Sequence, residues 1–417
     1  MTSDSTIFRR YVVAFAVTIV GLGIPCIVNF VFLYRANEIS PYSSIIREQL
    51  ALKGVYGSAY NGNDLKYKVE LVRQVKPEVV VIGSSRAMNV RAIAFNRSFV
   101  NCGGVSSNLF EAETFVTEML KVHVPKVAVF FVDYWWFHPK TEQVSNRYKI
   151  DETARSYNKL VPPIEWIRSK KLSWRLIRDI VLYGRYENEF TSFENFGLFA
   201  IRYASGFRTD GSYFNSRSLQ KSEGTVRYFW DEIEQIKRGE NERINLGLGE
   251  FVKEDNVRWF LRIVDHLKRK GVEVIIVFPP VAPLHLKALR AHTSEPFVTP
   301  LVRRLKRDIS PLYDFTNYAS GPNGDCEHLD AYHIGDTLAL RILRAIVERE
   351  PKSPLAPYVD MRKMDDYISR FQDHVIIVDQ PEKYKMQEYD FLNLGCRKEA
   401  LPMMQRRSAE GAQEIVR

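Results

Sequence analysis

A charge-free apolar segment near the start of the chain limits its architecture more than any other feature. Residues 11–34 read YVVAFAVTIVGLGIPCIVNFVFLY. A helix rises about 1.5 Å per residue, so this segment is long enough to cross a hydrocarbon core of about 30 Å. Arg9 and Arg10 precede it, which favours a cytoplasmic N-terminus. The sequence therefore predicts one transmembrane helix at 11–34.

Two other interpretations of this segment stay open. A cleaved signal peptide usually has a shorter apolar core and ends in small residues of the A-x-A kind, whereas this segment ends in FLYRANE. A buried helix of a soluble protein is the other alternative. The length of the segment and its missing cleavage pattern favour an uncleaved anchor over both.

The rest of the chain divides by pattern into four parts. We expect residues 1–10 in the cytoplasm, a stalk and approach helix at 35–76, and a main domain at 77–350. Residues 140–255 interrupt the rhythm of that domain and predict an insertion, either a lid or partner-binding surface or a helical subdomain that fills space. Residues 351–417 open with PKSPLAP, a linker-like composition that indicates a C-terminal extension.

Short apolar runs, separated by amphipathic helical patterns, define the main domain. Runs rich in β-branched residues are typical of strands buried on both faces of a parallel sheet. Five such runs precede the tail, at 79–83, 98–102, 127–133, 272–278 and 312–316. Alternating strands and helices imply right-handed crossovers, with helices on both faces. The predicted fold is α/β, a three-layer αβα domain with about five parallel strands, and one more strand-like run lies in the tail at 375–379.

Small and polar residues follow the first of these strands. Open α/β sheets bind ligands at the carboxyl ends of their strands, and Gly83-Ser84-Ser85-Arg86 lies at such an end. The serines precede a short helix, whose N-terminal N–H groups and positive dipole end stabilise an oxyanion formed by serine attack. Taken alone, this segment is more typical of a serine that only caps the helix.

Two further segments follow other strands of the sheet. Residues 101–107 follow the second strand and contain two glycines, which let a backbone approach a ligand closely. Asp330 and His333 follow the fifth strand. Residues three apart share one face of a helical turn, so Asp330 is expected to orient His333 as a base for a serine. An ordinary turn, a surface ion pair and a metal site that includes His328 are the alternatives.

Together, these three segments resemble the SGNH (GDSL-like) hydrolase superfamily, in their order and in their position on a flavodoxin-like sheet. The resemblance covers 78–135 and 270–347. It implies that Ser85 is the nucleophile, that His333 is the general base and that Asp330 orients the histidine. It implies no cofactor and no metal.

The same resemblance implies an oxyanion hole made of backbone N–H groups. Ser85 supplies one donor, and Ser106, or Gly104 in its place, supplies another. The asparagine of the family's third motif has no clear match, because residues 132–135 read VDYW. Loss of one such donor typically costs about 10²–10³ in rate, so low activity on simple esters is expected.

A more specific resemblance is to membrane-anchored SGNH-like proteins of cell-envelope acylation, such as the alginate O-acetylation and lipoteichoic acid D-alanylation proteins. The N-terminal anchor, the GSSR motif, the aromatic end of strand three and PPVAPLHL after strand four look similar. It implies a single-pass protein of the bacterial inner membrane with a periplasmic catalytic domain. The implied partner is a membrane-bound O-acyltransferase, and the implied acceptor is an exported polysaccharide. An anchored esterase and a non-catalytic scaffold remain alternatives.

Five other side chains near the strand ends are candidates for substrate binding: Arg86, Asp133, Trp135, Trp136 and His285. The two tryptophans suit a platform for sugar rings, although packing under the insertion is the favoured alternative. The net charge of +9 indicates an anionic neighbour, such as lipid headgroups or an acidic polymer, or else a solvated basic surface. Nucleic-acid binding has only this charge in its favour, and an exported domain argues against it.

The cysteines give one further expectation. Cys102 and Cys326 both lie in loops at the predicted active-site edge of the sheet, in a compartment that favours disulfides. The sequence therefore predicts a disulfide between them, with two separate buried thiols as the alternative.

Overall fold

The chain folds into two compact units, one of which carries the long apolar helix. The computed structural model describes residues 3–59, 64–139, 141–143, 167–168, 172–184, 188, 190–219, 223–238, 252–291, 298–318, 324–396 and 398. The first unit combines described residues of 1–62, 149–188 and 194–206, and the second combines those of 63–148, 189–193 and 207–417. The predicted insertion at 140–255 is therefore divided between the units.

The helices and strands of the described residues are numbered in chain order. The helices are α1 (Ser3–Arg35), α2 (Tyr42–Leu52), α3 (Asp64–Val75), α4 (Leu109–Val122), α5 (Trp174–Arg178), α6 (Leu198–Tyr203), α7 (Glu223–Arg238), α8 (Glu254–Arg269), α9 (Pro283–Arg290), α10 (Val298–Leu305), α11 (Asp336–Arg349) and α12 (Met361–Arg370). The strands are β1 (Val55–Tyr56), β2 (Val79–Gly83), β3 (Phe99–Gly103), β4 (Val127–Phe131), β5 (Asn195–Phe196), β6 (Gly206–Phe207), β7 (Tyr213–Phe214), β8 (Glu273–Phe278) and β9 (Leu312–Asp314).

The first unit begins with α1, which contains the predicted helix at 11–34. Over Thr6–Arg35 this helix is long and apolar enough to cross a membrane, with a mean hydropathy of 2.4. Its last turn packs into a small core, where Phe32 and Leu33 are buried. The part of the predicted stalk that lies in this unit forms α2 and β1, and β1 pairs in parallel with β5.

The second unit is built on a five-stranded, wholly parallel sheet in the order β3-β2-β4-β8-β9. This is the order of a common doubly wound sheet, whose switch point lies here between β2 and β4. All five apolar runs predicted before the tail form these strands. Every residue of β2, β3 and β4 is buried, which explains why their sequences are almost unbroken in apolar character.

Helices cover both faces of this sheet. On one face, Leu338 of α11 and Met364 of α12 pack in the same core as Val79 of β2. On the other face, Phe260 of α8 meets Phe130 of β4 edge to face, with ring centroids 5.8 Å apart. The predicted three layers are present in this unit, and α12 comes from the region predicted as a C-terminal extension.

The strand predicted at 375–379 is wrong. This segment has no strand geometry, although Val375 and Ile377 are buried. Its backbone bonds to the start of α11 instead: the Asp336 N–H donates to the Val375 carbonyl at 2.7 Å, and the Ile377 N–H donates to the Asp336 carboxylate at 3.2 Å. The end of the chain, QRRSAEGAQEIVR at 405–417, has a composition typical of disorder and lies outside the described residues.

The predicted disulfide between Cys102 and Cys326 is also wrong. Cys326 pairs with Cys396, with Cα atoms 5.7 Å apart, whereas Cys102 is a buried free thiol. The sheet order explains this, because Cys102 lies on the edge strand β3 and Cys326 follows β9 at the opposite edge. Burial raises the pKa of the Cys102 thiol to about 12, although Lys68 opposes that rise.

Candidate active site

Ser85 lies directly beyond β2, at the carboxyl edge of the parallel sheet. Gly83 makes this turn possible, because a Cβ there would lie 2.7 Å from a carbonyl oxygen of β4. Ser84 then caps a short 3₁₀ turn, as its hydroxyl accepts the Arg86 N–H at 3.2 Å. Ser85 is the first residue of that turn and is exposed. One serine therefore has the capping role, and the next is free for chemistry.

His333 and Asp330 complete a line of three groups with Ser85. Ser85 Oγ lies 2.8 Å from His333 Nε2. On the other side of the ring, His333 Nδ1 lies 2.8 Å from each carboxylate oxygen of Asp330. The structure thus brings together the three residues that the sequence selected, with the hydroxyl–imidazole–carboxylate geometry of a serine triad.

Asp330 and His333 lie in a loop, so the helical turn expected from their spacing is wrong. Asp330 Oδ1 accepts the backbone N–H groups of Tyr332 and His333, both at 2.9 Å. His328 and Ile334 pair across the base of the loop as an antiparallel bridge. When an aspartate carboxylate accepts the backbone N–H groups two and three residues further on, the chain turns back on itself. Such a turn brings residues three apart together, as a helical turn does.

Electrostatics favour a charged Asp330. Burial raises the pKa of its carboxyl, but the nearby His333 and the hydrogen bonds from His333 and Tyr332 lower it more, so the pKa lies well below its usual range. The ionised carboxylate accepts a proton-bearing Nδ1, which leaves Nε2 to accept the Ser85 hydroxyl. The same carboxylate stabilises the imidazolium that forms when His333 takes that proton.

Arg86 connects the strand ends beneath this site. Its guanidinium pairs with Asp133 at 3.2 Å, and it donates to the carbonyls of Pro279 and Pro280, each at 2.8 Å, and of Tyr332 at 3.2 Å. Both Arg86 and Asp133 are buried. The interpretation of these two as substrate-binding residues is therefore corrected, because their charges meet each other inside the protein.

The other predicted substrate contacts differ in exposure. Trp135 is partly exposed, and the Arg86 guanidinium lies 5.7 Å from its ring centroid. Trp136 is fully buried against Phe260 of α8. His285 is also fully buried and contacts the Tyr332 ring edge to face at 4.4 Å. Burial corrects the prediction for Trp136 and His285, and it leaves Trp135 within reach of a ligand.

The second oxyanion donor predicted from the sequence is already bonded within the protein. The Gly104 N–H donates to the carbonyls of Gly83 and Ser84, both at 3.0 Å, and the Ser106 N–H donates to Gly83 at 3.3 Å. These contacts correct the expectation that Gly104 or Ser106 faces the oxyanion in this conformation. The Ser85 N–H is the first of its 3₁₀ turn, a position with no partner inside the turn.

Asn101 supports the site in a way that the sequence did not reveal. Its Nδ2 donates to the carbonyls of Ala87 and Val90, at 2.8 and 2.7 Å, and its Oδ1 accepts the Gly103 N–H at 2.6 Å. It therefore fixes the chain that follows Ser85. The available signal was a polar side chain in the middle of an otherwise apolar strand.

His328 is fully buried beside the loop that carries Asp330 and His333. Its Nδ1 lies 3.0 Å from the Gly324 carbonyl, and burial lowers its pKa to about 4. It is therefore neutral near pH 7. In the part of the chain that the structure describes, no group of three or more His, Cys, Asp or Glu side chains could hold a metal ion.

The chain matches no protein-family model, and no curated protein matches it. Any family assignment therefore depends on the residues of this chain and their geometry.

Proposed function

We propose that this chain is a membrane-anchored serine acyltransferase of the SGNH type. It transfers an acyl group, in particular acetyl, to a hydroxyl of an exported cell-envelope polysaccharide. The observation that carries this proposal is the line of Ser85, His333 and Asp330 at the carboxyl edge of a parallel sheet. The resemblance of the surrounding motifs to envelope acylation proteins supplies the substrate class.

The reaction proceeds in two acyl transfers through one covalent intermediate. Ser85 Oγ attacks the carbonyl carbon of an acyl donor, and its proton passes to His333 Nε2. The imidazolium, stabilised by Asp330, returns that proton to the departing group of the donor. A sugar hydroxyl then attacks the acyl-serine carbonyl and gives its proton to Nε2. The acyl–oxygen bond to serine breaks, and Ser85 regains the proton from His333.

The oxyanion of each step needs at least one donor. The Ser85 N–H serves it, while the N–H groups of Gly104 and Ser106 serve only after they leave the Gly83 and Ser84 carbonyls. These bonds are also the observation that favours a non-catalytic scaffold as an alternative. If residues 104–106 rearrange when an acyl donor binds, the acyltransferase proposal is supported. If they keep these bonds, the scaffold is supported.

The proposal includes a position for the reaction, beside a membrane. We propose that α1 spans the bacterial inner membrane, that the rest of the chain is periplasmic, and that a membrane-bound O-acyltransferase supplies the acyl group. The apolar length of α1 supports this topology. A reporter fused after the last residue tests it: activity of an export-dependent reporter is expected, and activity of a cytoplasmic reporter contradicts it.

An anchored esterase that removes acyl groups is the second candidate. The exposure of Ser85 favours it, because water reaches an acyl-serine at that position as readily as a sugar does. Acyl transfer to an added oligosaccharide, measured against release of free acid, decides between the two activities.

Covalent labelling tests the nucleophile. After incubation with an activated acetyl ester, mass spectrometry is expected to find acetyl on the peptide that carries Ser85. Ser85→Ala should remove the label and the activity while the protein remains folded. Ser84→Ala is the matched control, because it changes the adjacent hydroxyl, which caps the turn and does not meet His333. Full activity of Ser85→Ala contradicts the catalytic proposal.

A further inference from the structure

A short segment of the first unit exposes large apolar side chains together with arginines. It spans residues 172–184 and consists of α5 and the π-helical turn Asp179–Tyr183. Trp174, Leu182 and Tyr183 are 73%, 59% and 66% exposed. Trp174, Arg178 and Leu182 recur at a spacing of four residues, which sets them along one side of a helical segment. Apolar side chains exposed together in this way mark an interaction site, so this face is expected to contact something other than water.

The same segment is fixed to the end of α1. Arg35, the last residue of α1, donates through Nη1 to the Val181 carbonyl at 2.7 Å. Phe32 and Leu33 pack in one core with Leu172 and Ile180 of the segment. The final turn of α1 therefore covers the inner face of 172–184. The outer face of the segment remains exposed, close to the end of α1.

Helix length sets the depth of this contact. The 21 residues from Tyr11 to Val31 rise about 31 Å at 1.5 Å per residue, which is close to the thickness of a hydrocarbon core. Side chains of α1 are exposed as far as Phe30 and again at Tyr34, whereas Phe32 and Leu33 between them are covered by protein. Arg35 then lies about 6 Å beyond the hydrocarbon. The exposed face of 172–184 is consequently at the level of the lipid headgroups.

The composition of this face suits that level. Tryptophan and tyrosine are enriched at membrane–water interfaces, and arginine on the same face binds phosphate. Arg175 and Arg178 are exposed, and Asp179, the one acidic residue of 172–184, pairs with both, at 3.8 and 2.7 Å. The face therefore combines an apolar part with a net positive charge, as in helices that lie in the plane of an anionic membrane.

We propose that residues 172–184 form a membrane-interface foot, whose exposed face lies in the headgroup region of an anionic bilayer beside the exit of α1. The proposal depends on the anchoring of α1 proposed above. A single helix leaves a domain free to rotate about the helix axis. A second contact beside it restricts the first unit to one orientation over the membrane.

Spin-label accessibility tests the foot on the full-length chain. A nitroxide is attached at Leu182→Cys in a Cys26→Ser background. The other cysteines do not compete, because Cys102 is buried and Cys326 is paired with Cys396. The protein is placed in vesicles of phosphatidylcholine and phosphatidylglycerol at low protein content. Collisions with oxygen, which partitions into lipid, are compared with collisions with a water-soluble nickel chelate. Ile19→Cys, at an exposed position within α1, is the lipid-facing reference.

The foot is supported if the label at position 182 collides more with oxygen than with the nickel chelate, by a smaller ratio than the label at position 19. A ratio in favour of nickel at position 182, with position 19 in lipid, overturns the foot and leaves the anchor intact. A ratio in favour of nickel at both positions overturns the anchor as well. Spin–spin broadening at position 182, lost on dilution with unlabelled protein, shows a second copy on this face and also overturns the proposal.

Discussion

Asp330 and Asp336 lie six residues apart, and each carboxylate bonds a basic side chain. The two contacts have different roles. Asp330 bonds His333, whose side chain is 33% exposed and reaches Ser85. Asp336 bonds two arginines in the interior, Arg91 and Arg208, which are 6% and 10% exposed. A carboxylate beside a reachable imidazole orients that imidazole for proton transfer, whereas one between buried guanidinium groups only holds chain segments together.

The buried cluster joins distant parts of the second unit. Arg91 follows the serine turn and pairs with Asp336 at 3.4 Å and with Asp379 of the tail at 2.8 Å. Arg208, from the region predicted as an insertion, pairs with Asp336 at 3.0 Å. Buried pairs of this kind contribute little net stability, but they are costly to break because a charge is left without its partner.

Asp330→Asn is expected to have the largest effect of all, and that effect is on activity. An amide keeps the size of the side chain but favours the wrong histidine tautomer, so kcat should fall by about 10⁴. Acyl-transfer kinetics measure the effect on activity, and a melting curve measures the effect on stability. Asp360→Asn, at the cap of α12, is the control and should leave kcat unchanged. A loss of less than about tenfold contradicts the role of Asp330.

Asp336→Ala is expected to have the largest effect on stability. It leaves Arg91 and Arg208 buried without this carboxylate, so the free energy of unfolding should fall by about 3–5 kcal/mol. Denaturant unfolding measures the change. Asp308→Ala, which removes an exposed partner of Arg304, should cost less than about 1 kcal/mol. Equal losses of unfolding free energy in the two variants would show that the buried cluster stabilises the protein no more than an exposed ion pair does.

Acid should reduce the stability that Asp330 provides. Its pKa is lowered in the folded protein, so its contribution is present above the unfolded value of about 3.9 and is lost as pH falls through the folded pKa. The difference in unfolding free energy between wild type and Asp330→Asn should therefore narrow by about 1–2 kcal/mol from roughly pH 6 to pH 3. Denaturant titrations at both pH values measure it, and a constant difference contradicts the lowered pKa.

Asp379→Asn should have the smallest effect, about 1 kcal/mol of stability. Asp379 is 20% exposed, and Arg91 retains Asp336 and the Ile377 carbonyl, the latter at 2.9 Å. Thermal melts measure the change. A loss of stability as large as that of Asp336→Ala would mean that the partly exposed Asp379 is as important to the cluster as the buried Asp336.

Local patterns predicted the main sheet and the pair of Asp330 and His333, and the resemblance to the SGNH superfamily added Ser85. Unbroken apolar runs mark strands buried on both faces, and parallel strands bring the residues that follow them to one edge. Contacts without a local pattern were missed. Arg208 and Asp336 are 128 residues apart, and nothing near either residue indicates the other. The bonded state of the Gly104 and Ser106 N–H groups depends on the path of the loop, which composition does not fix.

The disulfide between Cys326 and Cys396 turns a stretch of the second unit into a covalent ring. Asp330, His333, α11 and α12 all lie inside that ring. A protease cut within it leaves two pieces that stay joined until a reductant separates them. A chain shortened before residue 396 has an unpaired thiol at Cys326, four residues before Asp330. The length of the tail thus determines the redox chemistry next to the serine site.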